Sequence, residues 1–181
     1  MRAVPKHVAI VLGLALATTL SATVTPVLAE DQELGFNHPG NILISDQFNN
    51  RVIEIDQHHR IVWQFGDGSS TAGPTSVVGV NDAQRVGSLT LVAGTGAPPG
   101  SEPACATGCA DNRVMLVNEH GHIVWQYGEA GVTGSGPDQL NTPVQNTWLP
   151  DSHVLITDQG NARIIEVNMA KEIVWQYGQT G

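Results

Sequence analysis

The residues able to do chemistry are few, and most of them recur. Cys105 and Cys109 lie in a stretch that also holds Pro98, Pro99, Gly100 and Pro103. Two cysteines four positions apart in a Gly/Pro-rich loop are expected to form a disulfide in an exported chain. A thiolate metal site would need two further soft ligands, and none is adjacent. The spacing and the missing following His also exclude covalent haem attachment by a Cys-x-x-Cys-His motif. His58 and His59 occupy the same hairpin turn, just before the Trp strand, as His120 and His122 in the next copy. They could converge on a metal only with positioned partners, and they read as polar turn residues. Asp46 and Asp158 each precede an Arg by five residues, Arg51 and Arg163. A group needed once in a catalytic site does not recur in every unit, whereas a turn-stabilising carboxylate and its guanidinium do. No Gly-x-Ser-x-Gly elbow, phosphate-cradling Gly-rich loop or His-Glu-x-x-His motif occurs. No catalytic residue can be assigned, and no cofactor or metal is expected.

The elements that position these residues come in three copies. Ile61-Val62-Trp63-Gln64-Phe65-Gly66 is matched by Ile123 to Gly128 and by Ile173 to Gly178. Each Trp follows an Arg by twelve positions: Arg51, Arg113 and Arg163. Upstream lie Asn41 to Asp46, Leu89 to Gly94 and His153 to Asp158, short runs rich in Val, Ile and Leu. A fourth recurring segment comprises Gln32 to Phe36, Val80 to Gln84 and Val144 to Trp148. The middle copy carries an insertion at 94–110 and has Gly94 where the others have Asp. Once the insertion is set aside, the period is about 48–50 residues. Runs of β-branched and aromatic residues between Asn, Asp and Gly clusters are strand signals. No helical periodicity follows residue 30. The chain is therefore expected to be all-β, with units at about 31–70, 75–131 and 140–181. Glu54 and Glu166 are answered by Leu116 in the middle copy, which suggests an edge or a partly exposed face.

Four strands recurring at this period resemble the NHL-type and quinoprotein-like (PQQ-like) propeller repeats of secreted bacterial proteins. The resemblance rests on the Asp46-to-Arg51 and Asp158-to-Arg163 turns and on the three Ile-Val-Trp-Gln-aromatic-Gly strands. It implies a β-propeller-like arc of three four-stranded blades, whereas closed propellers have four to eight. A twisted β-sandwich built from the same strands is the alternative fold. The arc could be a fragment of a longer propeller, could close a six-bladed ring as a homodimer, or could bind another protein with its open face. In such propellers the first strand of each blade lines a central channel. By that analogy Asp82, Gln84, Asn146 and Trp148 are the candidate ligand-binding residues. The Trp strands are uniform between copies while these positions diverge, as a ligand site would require. Recurrence of Trp63, Trp125 and Trp175 instead favours packing between blades.

Arg2 and Lys6, an apolar run from Val8 to Leu20 and the small residues up to Ala29 form the pattern of a secretory signal peptide. The run is too short for a spanning helix. Cleavage after Ala29 would direct residues 30–181 to the periplasm or the exterior. It would also remove two basic residues, changing the formal charge from −9 to −11. Such a surface repels nucleic acid and anionic lipid. The expected function is that of an exported binding or interaction module with a protein or carbohydrate partner, more in keeping with a non-enzyme. The alternative is a propeller-fold lyase, hydrolase or arylsulfotransferase-like enzyme with its site in the channel of a completed ring.

Overall fold

A computed structural model describes residues 35–179. The expected signal peptide at 1–29 lies outside the described residues, as does most of the segment at 32–36. The described chain is all-β, as the strand signals imply. It forms eleven strands in three antiparallel sheets, each a meander of sequence neighbours.

The first sheet has three strands, β1 (Ile42–Asp46), β2 (Arg51–Ile55) and β3 (Ile61–Phe65). The second has four, β4 (Val80–Val86), β5 (Leu89–Gly94), β6 (Arg113–Asn118) and β7 (Ile123–Tyr127). The third repeats that order with β8 (Pro143–Trp148), β9 (Val154–Asp158), β10 (Arg163–Val167) and β11 (Ile173–Gly178). Registers are conserved across copies: Glu54 pairs with Trp63, Leu116 with Trp125 and Glu166 with Trp175, and a bulge follows each.

The glycine ending each Trp strand is dictated by packing. Gly66, Gly128 and Gly178 have φ of 98°, 93° and 89°, and an added Cβ would collide with the carbonyl of the residue before the unit's Arg. Gly94 answers to a different need. Its φ is not positive, but a Cβ there would come within 2.5 Å of the Asp111 carboxyl carbon.

Two apolar cores form, each shared by consecutive sheets. Val52, Trp63 and Phe65 of the first sheet pack with Val80, Val92, Met115 and Val117 of the second. Leu91, Val114, Leu116 and Tyr127, on the other face of the second sheet, pack with Val154, Ile156, Ile165 and Val167 of the third. The middle sheet is thus covered on both sides, and β6 is buried over its first five residues. On the far face of the third sheet the side chains are half-buried or exposed.

Candidate functional site

The recurring Asp and Arg form an ion pair in each unit, and in the second and third units the pair fastens the chain entering the sheet. Asp46–Arg51 and Asp158–Arg163 are 2.8 and 2.7 Å apart. In the middle unit, where Gly94 replaces the Asp, Asp111 supplies the carboxylate at 2.6 Å from Arg113. Arg113 also donates to the carbonyls of Gly73 and Ser76, and Arg163 to those of Ser135 and Gln139. The same carboxylates accept linker amides, Asp111 from Val78 and Asp158 from Asn141. In the second and third units these groups hold the linkers, whereas Asp46 and Arg51 bond within their own unit, to Asn49 and Gln64, in keeping with the structural reading.

Asp82, Gln84, Asn146 and Trp148 come together, and the geometry gives them a definite task. β8 is an edge strand, so half of its amides have no partner in its own sheet. Asp82 accepts the N–H of Asn146 and Gln84 accepts that of Trp148, both at 2.9 Å. The two rungs join the first strands of the second and third sheets. The Asn146 side chain is buried, with neither its oxygen nor its nitrogen hydrogen-bonded.

Glu54 does not lie on a partly exposed face. It is 2% exposed and forms an ion pair with Arg85 of the next sheet. Glu54 also accepts the Asn37 N–H and the Asn41 side-chain amide, both at 2.7 Å. The Arg85 guanidinium lies 3.9 Å from the centre of the Phe36 ring and 4.7 Å from that of Trp63, distances suited to cation–π attraction. Burial pushes the Arg85 pKa down while the charge of Glu54 and its hydrogen bond work upward. In the third sheet, His153 takes the place of Asn41 and its Nδ1 lies 2.6 Å from Glu166. Asp151 is 3.3 Å from the same nitrogen. The three could hold an ion, but the equivalent Asn41–Glu54 hydrogen bond shows that the pairing needs none.

Cys105 and Cys109 are disulfide-bonded, with Cα atoms 5.3 Å apart. The insertion has further supports. Ala97 and Cys109 exchange two backbone hydrogen bonds across its neck. Glu102 accepts from Asn50 and Ser70 of the preceding unit, at 2.9 and 2.8 Å. Cys105 is buried against Val78 and Ala97.

The fastened loop forms one wall of a cleft of about 510 Å³. Pro98, Pro99 and Gly108 stand on that side, with Gln47, Asn81 and Gln159 among the facing residues. Gln47 donates its amide to Asn81, and Asn112 is tied to Thr133 and the Thr142 N–H at 2.9 and 2.8 Å. None of the described residues lining the cleft is ionisable. It therefore offers amides, hydroxyls and backbone, with no nucleophile–base pair among them. Asp82, Gln84, Asn146 and Trp148 are not part of this lining. The signal for the cleft was present in the sequence: Gln47 and Gln159 each follow the recurring Asp directly.

No known family model matches the sequence, and no curated protein matches it. Among solved structures, a protein of unknown function from Bacteroides caccae is similar at 12% identity and a TM-score of 0.36. The similarity covers 77% of this chain and 57% of that one, so the chain spans little more than half of that protein's length.

Proposed function

We propose that the three sheets are consecutive blades of a β-propeller-type array and that the exported protein is a non-catalytic binding module for uncharged, hydroxyl-rich ligands such as neutral glycans. The observation that carries this reading is the cleft beside the disulfide loop. Its volume falls within the range of small-molecule sites, roughly 300–1,000 Å³. Amides and hydroxyls both donate and accept, which matches a ligand whose own groups do the same. An ionic ligand would find no counter-charge among the described lining residues. The Gln159 side chain makes no hydrogen bond among the described residues, which leaves it free to meet a ligand.

Titration calorimetry against a panel of neutral oligosaccharides and their charged analogues tests this reading. Binding of a neutral glycan is expected to weaken at least tenfold, about 1.4 kcal/mol, in a Gln47→Ala, Gln159→Ala variant. Thermal stability should be unchanged. Undiminished affinity in that variant, or binding confined to charged ligands, contradicts the assignment.

A further inference from the structure

The third sheet ends in a face that its predecessors keep covered. Trp63 and Phe65 are 6% and 2% exposed beneath the second sheet, and Tyr127 is fully buried beneath the third. Their equivalents Trp175 and Tyr177 are 48% and 71% exposed. The polar groups follow the same rule. Glu54 is met by Arg85 from the next sheet, whereas among the described residues its equivalent Glu166 is paired only with His153 of its own unit. Asp82 accepts the N–H of Asn146 from the following unit, whereas Gln145, at Asp82's register position in the third sheet, is exposed.

The other end of the array carries the complementary surface. Val154, Ile156 and Val167 are fully buried against the preceding sheet. In the first unit their equivalents are Ile42, Ile44 and Ile55. Ile42 is 56% exposed and the other two are partly exposed. One chain thus bears both halves of the contact that its own sheets make twice.

We infer that a second copy of this chain covers the Trp175–Tyr177–Glu166 face with the Ile42–Ile44–Ile55 face of its first sheet, head to tail, reciprocally in a closed dimer. A heterologous contact of this kind either closes or propagates as a filament, and two arcs of three units make a ring of six. The inference rests on reading the sheets as consecutive blades.

Light scattering on a sizing column, with purified protein at micromolar concentration, is expected to give the mass of two chains. Trp175→Ser with Tyr177→Ser should halve that mass, as should Ile42→Lys in a separate chain. β11 is exposed along its length in a single copy, so the first variant should still fold, with its β-sheet circular dichroism unchanged. Mixing the two variants should restore dimers, because one of the two contacts is then intact. A wild-type monomer, a dimer untouched by either variant, or open-ended polymers would overturn the inference. Intact protection of the Asn146 and Trp148 amides in such a monomer would leave the blade reading standing; its loss would remove both.

Discussion

Asp111 shows how one unit keeps an ion pair after losing the residue that supplies it elsewhere. The Asp46 and Asp158 carboxylates come from the ends of β1 and β9. Gly94 leaves that place empty, and Asp111 enters it from the opposite side to reach Arg113. Sequence spacing revealed the missing Asp but not its replacement, because substitution across a strand pair is visible only once the register is known. The residue before each Arg adopts the left-handed region: Asn50, Asn112 and Ala162 have φ of 51°, 61° and 50°. Asn tolerates that conformation, whereas the Ala Cβ crowds the backbone at a cost of about 1–2 kcal/mol. Ala162 is exposed, so Ala162→Gly should raise stability by about 1 kcal/mol in urea unfolding; an unchanged or lower midpoint would contradict the strain. Acid should act through two carboxylates. For Asp46, burial works upward, but hydrogen bonds from Arg51 and Asn49 and the charge of Arg51 hold the group below its ordinary value. For Asp56, burial is likewise outweighed by hydrogen bonds from Arg60 and the His58 N–H. Their stabilisation is complete above the ordinary carboxyl value of about 4 and is lost as pH falls through the lowered folded-state values. An Asp46→Asn, Asp56→Asn variant should therefore lose less stability than wild type between pH 5 and pH 2, read as about half-unit steps in urea midpoints. An identical acid slope would show that these pairs contribute nothing.

At the scale of elements, the strands were legible because each combines β-branched runs with turn residues at a fixed period. The Trp strands, the hairpins and the disulfide all stand where spacing placed them. The insertion was legible as a loop but not as a wall. Its attachment through the Ala97–Cys109 bridge and Glu102 depends on Asn50 and Ser70, which lie far away in sequence. Glu54 looked like a residue of an exposed edge because Leu116 replaces it in the next unit. The structure ties both to their surroundings: Glu54 faces Arg85, and Leu116 lies in an apolar core. Trp148 stands at Arg85's register position in the third unit and packs against the core that holds Leu116, so the charged pair and the apolar one differ together. A single copy read in isolation could not have shown that correlation.

At the scale of the molecule, the sheets are joined less by strand pairing than by apolar faces and side chains that reach across. Sequence alignment set Asp82 and Gln84 against Asn146 and Trp148, but the strand registers make Gln145 and Thr147 their counterparts, so the apparent divergence compared residues on opposite faces. The far face of the third sheet is the same joint left open, and the cleft beside the disulfide loop is the one feature that the repeat alone does not generate. The joint between units is the central claim, and amide hydrogen exchange at Asn146 and Trp148 tests it most directly. Both amides lie on an edge strand and would exchange within seconds to minutes if they faced water. The account predicts protection comparable to the buried strand β6, abolished at these two positions by Asp82→Ala with Gln84→Ala. Rapid exchange in the wild-type protein would mean that the first strands are not joined in this way, and the consecutive-unit architecture would fall with them.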